Sequence, residues 1–251
     1  MQILAEKLRF IFRAWRYRYR LDRDEIHYLL QTLKTGDVAV DIGAHKGGYS
    51  YWMLQAVGKS GRVFAFEPQP GLAQYLSRIK AMFNFDHYTL NNCGLSSSSG
   101  EMRLTVPGND VSPGASLEPG LLKGVQHSHL VKVDTLDHYF DSMPGITIAF
   151  IKCDVEGHEL EVFRGGAKVL RTQQPILMFE CEERHHVRYS SQDVFDFLSD
   201  LGYQGYFFCR GKLHPLSSLT ESGGAELGSP DYVNNFIFTP AGVVLPDSSL
   251  A

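Results

Sequence analysis

Hydrophobic positions along the 251-residue chain follow two alternating patterns. Short β-branched or almost wholly apolar runs at 38–42, 61–67, 88–95, 146–151, 175–180, 203–209 and 232–239 read as strands. Between them, residues 24–33, 49–54, 71–83, 135–140, 160–170 and 194–198 carry helical spacing; Leu72, Tyr75, Leu76 and Ile79 share one face of the third of these. Such alternation predicts a parallel α/β sheet. Residues 101–106 and 129–133 interrupt it as a predicted hairpin. The loop formers from Pro107 onward make 107–128 either a lid over an acceptor site or a plain surface insertion. A loop around His214-Pro215 and Ser222-Gly223-Gly224 joins the last two strands. If the final strand is antiparallel, that loop and Asn234-Asn235 lie at the acid-bearing edge. With no repeat and no second core, 22–240 is expected to be one domain, with a tail at 241–251.

Residues 1–21 stand apart by charge. Lys7, Arg9, Arg13, Arg16, Arg18 and Arg20 face a single acid, Glu6, while Leu4, Leu8, Ile11, Phe12 and Trp15 recur at helical spacing. This basic helical arm suits an anionic membrane surface or glycolipid, or packs on its own domain or on a dimer partner. The chain as a whole carries −4, with 43% hydrophobic and 21% charged residues. That balance, with the cations gathered in one terminal helix and no Asn-Pro-Pro-Tyr-like base pocket, argues against a nucleic-acid partner. Cys93, Cys153, Cys181 and Cys209 show no CxxC spacing and read as reduced, buried residues. No signal peptide and no membrane-length apolar run is evident, so the expected location is cytoplasmic, with peripheral membrane contact through the arm as an option. The oligomeric state is not legible.

The stretch that organises the chemistry is Asp41-Ile42-Gly43-Ala44-His45-Lys46-Gly47-Gly48, a strand end, a tight loop and a helix start. Its spacing is not G-x-G-x-x-G, since His45 stands where the second glycine would be, and no P-loop is present. Gly43 and Gly47 would let the backbone turn and approach a ligand. Glu67 closes the second strand, where a carboxylate can accept hydrogen bonds from both hydroxyls of a ribose. Asp41 would face an ammonium. Together these acids suggest S-adenosylmethionine (SAM), with Ala44 and His45 in the same loop. Cys93 and Gly94, one strand further on, are weak candidates for the base pocket.

A second cluster ends the apolar run at 146–151: Lys152, Asp154, Glu156, His158 and Glu159. Ionisable groups at the end of a buried strand are costly unless they do something. Asp154 sits at the centre of the crevice and is the first choice as general base; His158 is the second, with a supporting or helix-capping role as the alternative. Lys152 would neutralise the acids. Asp154 and Glu180, with Glu182 or Glu156, could instead gather Mg²⁺ or Ca²⁺.

The motifs at 41–47, Phe66-Glu67-Pro68-Gln69-Pro70, Thr135-Leu136-Asp137 and 151–159 together resemble the FkbM-type SAM-dependent methyltransferases over about residues 22–240. The resemblance implies a class I SAM-methyltransferase fold: Rossmann-like, doubly wound, with a mostly parallel seven-stranded sheet and an antiparallel last strand. It further implies methyl transfer to an oxygen, often of a sugar or another small metabolite. Asp41, Gly43 and Gly47 would then hold the amino-acid tail and Glu67 the ribose. The family generally has Asn where this chain has His45. A non-catalytic SAM- or glycan-binding module on the same fold is the competing reading.

Overall fold

The computed structural model describes residues 2–108, 111–121, 126–219 and 232–243. Helix α1 (Gln2–Arg16) runs through a wider π-type turn (Tyr17–Leu21) into α2 (Arg23–Thr32). Then come β1 (Val38–Ile42), α3 (Gly48–Val57), β2 (Arg62–Phe66), α4 (Pro70–Phe83) and β3 (Tyr88–Asn91). Strands β4 (Gly94–Leu95), β5 (Gly100–Pro107) and β6 (Gln126–Asp134) precede α5 (Leu136–Asp141) and β7 (Ile148–Cys153). The chain continues as α6 (Glu159–Arg164), α7 (Ala167–Gln173), β8 (Ile176–Glu180), α8 (Ser191–Asp200), β9 (Tyr203–Cys209), β10 (Lys212–Pro215) and β11 (Asn235–Pro240).

The main sheet has the order β10-β9-β11-β8-β7-β1-β2-β3. Strands β1, β2, β3, β7 and β8 pair in parallel, and β11 is antiparallel to both of its neighbours. This is the expected seven-stranded, doubly wound sheet with one addition. Leu213 and His214, expected in a loop, belong to an eighth strand that ends on Pro215 at the sheet's edge, where a missing N–H breaks no ladder. Alternation sorts the core onto two faces. Val40, Ile42, Ile151, Leu177 and Phe179 point toward α5–α8. Ala39, Phe150 and Met178 point toward α1–α4.

Two predicted elements are shorter than expected. The strand at 88–95 splits because Asn92 Nδ2 donates to the carbonyls of Glu67 and Pro68, and the chain leaves the main sheet there. Gly94 and Leu95 instead join the hairpin β5–β6 in a small second sheet. The helix at 160–170 breaks at Gly165-Gly166, where a Cβ on Gly165 would lie 2.0 Å from the Ser96 carbonyl oxygen. α1 packs on its own domain: Phe10 and Ala14 are buried, Phe10 stacks edge-on against Tyr51, and Trp52 Nε1 donates to the Ala14 carbonyl at 2.8 Å. Among the described residues no helix is long and apolar enough to cross a membrane. Ser222-Gly223-Gly224, the tail from 244 and parts of 107–128 lie outside them.

Candidate active site

β1, β2, β7 and β8 finish on the same edge of the sheet, and the strand order reverses between β1 and β7. The crevice at such a reversal is where open parallel sheets take ligands. Two adjoining hollows occupy it. The first is a slot walled by Phe66, Pro68, Leu95, Leu104 and Leu117, with two acids, Glu67 and Asp154, on its rim. The second is polar, lined among others by Asp41, Tyr49, Lys152, Asp154, Glu156 and Glu180, with Arg13, Tyr17 and Asp22 reaching in from the arm. Gly43, His45, Pro113 and Asp154 border both.

The turn after β1 is held from the β2 side. Gly43 and Ala44 donate their N–H groups to the Phe66 carbonyl at 2.9 and 3.1 Å. His45 takes a left-handed φ of 48°, which His and Asn tolerate better than most residues. Its N–H reaches Glu67 Oε2 at 2.7 Å, while Gln69 N–H reaches Oε1 at 2.8 Å. Each carboxylate oxygen therefore keeps a lone pair free. Burial pushes Glu67 up to about 7. Burial also lowers the His45 ring to about 4, so it is neutral at physiological pH; its Nε2 is buried with no partner among the described residues.

The glycines serve the protein's own packing. A Cβ on Gly43 (φ +78°) would meet the Asp154 carbonyl oxygen, and one on Gly47 (φ +75°) would meet Leu76 and Phe10. Gly47 borders neither hollow. Gly47 is thus approached by the chain itself, whereas Gly43 packs on Asp154 and also borders both hollows. Asp41, 2% exposed, accepts a short hydrogen bond from Ser50 Oγ, and burial raises it to about 6. Gly94 lines the slot, whereas Cys93 packs against the core.

Lys152 and Asp154 dominate the polar hollow. Lys152 Nζ, buried, lies 3.6 Å from Asp154 Oδ2 and 4.9 Å from the centre of the Tyr49 ring. Burial opposes its charge, but Asp154, Glu180 and Asp22 outweigh that and hold its pKa above the ordinary lysine value. Asp154 keeps a 37% exposed side chain, so it meets both the hollow and solvent. Burial and the nearby Asp154 charge raise Glu180. Glu182 is engaged by Arg184 and by Asn234, which also donates to Glu180. The alternative metal set of Asp154, Glu180 and Glu182 does not converge among the described residues; Lys152 supplies the countercharge there. The ligand-like cluster that does form is Glu159, Cys181 and His186, with His186 Nε2 at 3.3 Å from Glu159 Oε2 and 3.7 Å from Cys181 Sγ. It borders neither hollow.

Glu156 and His158, neighbours in the same cluster, part company. Glu156 lines the polar hollow in a left-handed conformation (φ 52°) and pairs with His185 Nδ1 at 3.0 Å. His158 borders neither hollow. Its Nε2 meets Ser96 Oγ at 2.9 Å and its Nδ1 meets Glu118 Oε1 at 2.6 Å, with no side-chain cap on α6. Both ring nitrogens are engaged, which leaves Asp154 as the candidate base.

Sequence reasoning missed what His158 holds. Glu118, 1% exposed, also receives a two-pronged bond from Arg188 at 2.9 and 2.7 Å. Ser116 exchanges backbone bonds with Thr105 and donates its hydroxyl to the Glu156 carbonyl. Gln69 and Ser112 bond reciprocally at 3.0 Å. Residues 111–118 are thereby strapped across the slot, with Pro113, Ala115 and Leu117 as its outer wall. Of the segment predicted as an acceptor lid or surface insertion, the part at 111–118 thus walls the apolar slot.

The methyltransferase FkbM domain family matches residues 41–204. The hexuronic acid methyltransferase AglP of Haloferax volcanii is 28% identical over 199 residues, covering 74% of this chain and 72% of AglP. Among solved structures, the FkbM methyltransferase of Methylobacillus flagellatus KT superposes with a TM-score of 0.54 at 15% identity, covering 93% of this chain; the chain spans 54% of that longer one. A Streptococcus mutans methyltransferase in complex with SAH superposes at 0.50 and 10% identity, covering 86% and 94% of the two chains. The two structural likenesses are of fold.

Proposed function

The chain belongs to the FkbM methyltransferase family and uses SAM as its methyl donor, and on that premise we propose that it methylates a hydroxyl of a sugar or another small polar acceptor, with Asp154 as general base. The observation that carries this reading is the position of Asp154, on the border between the slot and the polar hollow.

The residues present fit the donor. Glu67, with one free lone pair on each oxygen, suits a ribose diol, and Phe66, Pro68, Leu95 and Leu117 offer apolar walls to a base. The unpartnered Nε2 of His45 is a free polar contact for the amino-acid tail. SAM supplies a methyl carbon made electrophilic by its sulfonium. The chain's part is to seat the acceptor oxygen behind that carbon and to take its proton as the C–O bond forms. Asp154 accepts that proton and, being partly exposed, passes it to water. Lys152 holds Asp154 in place through their ion pair.

The polar hollow suits a hydroxyl-rich acceptor. Asp22, Asp41, Asp154, Glu156 and Glu180 offer acceptor oxygens, while Arg13 and Lys46 add cations. The relative AglP is named for a hexuronic acid, which makes uronic-acid glycosides the first acceptors to try. The test is SAH release with a panel of uronic-acid and neutral glycosides, using Asp154→Asn as control. Turnover on a glycoside that survives in the variant overturns the assignment of the base. SAH binding with no turnover on any hydroxyl acceptor favours the non-catalytic module instead.

A further inference from the structure

We propose that the N-terminal arm docks the protein on an anionic lipid bilayer. The face of α1 that packs on the domain, around Phe10 and Ala14, is not the apolar stripe seen in the sequence. Four of its five positions lie opposite, Ile11 being half-buried, and Tyr19 of the π-type turn extends them: Leu4, Leu8, Phe12, Trp15 and Tyr19 follow one another at steps of four or three residues and are 63%, 58%, 73%, 43% and 58% exposed. At 3.6 residues per turn, these positions fall within an arc of about 80° on an ideal helix. Arg9 and Arg16 flank one side of that arc, and Lys7 and Arg18 the other. Arg18 is held close by, its guanidinium 5.9 and 5.6 Å from the Trp15 and Tyr19 ring centres.

Charge selects the occupant. The arm carries six cations and one acid in a chain whose net charge is −4, so its positive field is local and set against an acidic body. An apolar stripe edged by Arg and Lys, with Trp and Tyr on it, matches an interfacial helix lying in the headgroup plane. A second copy of the chain would have to cover the stripe while setting these like charges against one another. The opposite face of the same segment supplies Arg13, Tyr17 and Leu21 to the wall of the polar hollow. Docking therefore sets that hollow's arm-side wall about one helix diameter, ~10 Å, from the bilayer and facing away from it, whatever reaction it performs.

The test is co-sedimentation of the full chain with phosphatidylcholine vesicles, with and without ~30% phosphatidylglycerol, across a salt series. Expected are binding to the anionic vesicles only, weakening with salt, and an about tenfold or greater loss of partitioning for Leu8→Ser/Phe12→Ser and for Arg9→Glu/Arg16→Glu. These exposed positions should leave the melting temperature unchanged, which circular dichroism verifies. Equal binding to neutral and anionic vesicles, wild-type binding by either double variant, or no binding at low salt overturns the proposal. So does a dimer in sedimentation velocity that Leu8→Ser/Phe12→Ser dissolves, because a protein partner would then own the stripe.

Discussion

The carbonyl oxygen of Asp154 fills the space where a Cβ on Gly43 would stand, 1.9 Å from its ideal position. Ile42 reinforces the contact by accepting the Asp154 N–H at 3.0 Å. The loop after β1 and the end of β7 are thus one interlocked unit, and the glycine's first duty is to let the candidate base into the crevice. Gly43→Ala must relieve both the overlap and a φ of +78°. A loss of ~3 kcal/mol or more is expected. Denaturant titration measures it; a variant within ~1 kcal/mol of wild type would show that the two loops slide freely.

Asp154→Asn keeps the shape of the crevice and removes the proton acceptor. Turnover is expected to fall ~10²–10⁴-fold, the usual contribution of a general base. Affinity for SAH should change little, because the isosteric amide leaves Glu67 and the slot's apolar walls in place. Calorimetry and product assays on the same preparation separate the two effects. A drop in SAH affinity that matches the drop in rate would make Asp154 a binding residue instead.

The pH dependence of Glu67 has a definite sign. Burial holds it near 7 in the folded protein against 4.5 ordinarily, so the folded state grips the proton more tightly than the unfolded one. Its contribution to stability is complete below the ordinary value and drains away as pH rises through 7. Asp41, near 6, and Glu25, near 7, act in the same direction. The ligand-free protein is expected to melt higher at pH ~5.5 than at pH ~8.5, and Glu67→Gln should flatten that slope. Donor affinity runs the opposite way, because the ionised carboxylate is the form that accepts two ribose hydroxyls. A wild-type SAH affinity that stays level across the range would remove Glu67 from the ribose.

Lys152 sits among Asp22, Asp154 and Glu180 as their shared cation. Lys152→Met leaves these acids facing one another. Removing one partner from a buried charged group costs ~3–5 kcal/mol, a figure reduced here because Asp154 is partly in water. The melting temperature should fall at neutral pH and recover toward acid, where Asp22, raised by burial and no longer lowered by Lys152, takes up a proton. A deficit unchanged by pH would mean that Lys152 acts through packing.

The strap over the slot offers a kinetic test. Glu118→Ala removes the shared partner of His158 and Arg188, leaving a buried histidine short of a hydrogen bond at a cost of ~1–3 kcal/mol. Since Pro113, Ala115 and Leu117 wall the slot, the KM for SAM is expected to rise more than kcat falls. Initial-rate kinetics in both substrates would show the reverse if His158 itself took part in the chemistry.

Much of this arrangement was legible before any coordinates. The apolar run before Lys152 marked a central strand, and acids at strand ends marked the ligand edge, because period and burial leave local traces. The role of His158 was not legible. Its partners Ser96 and Glu118 lie 62 and 40 residues away, and Arg188 reaches Glu118 across 70 more. Nothing in the spacing of a loop-rich segment announces that one of its acids will be buried. The break at Gly165-Gly166 was hidden in the same way, since the Ser96 carbonyl that forbids a side chain there comes from a different element.

Arg13, Tyr17, Leu21 and Asp22 stand outside the span, 41–204, that this chain shares with its family, yet they complete one side of the polar hollow. Acceptor preference would then be set partly by residues that lie outside the matched domain. Redesign of that one wall, with the acids of the strand ends left alone, then becomes a route to new selectivity.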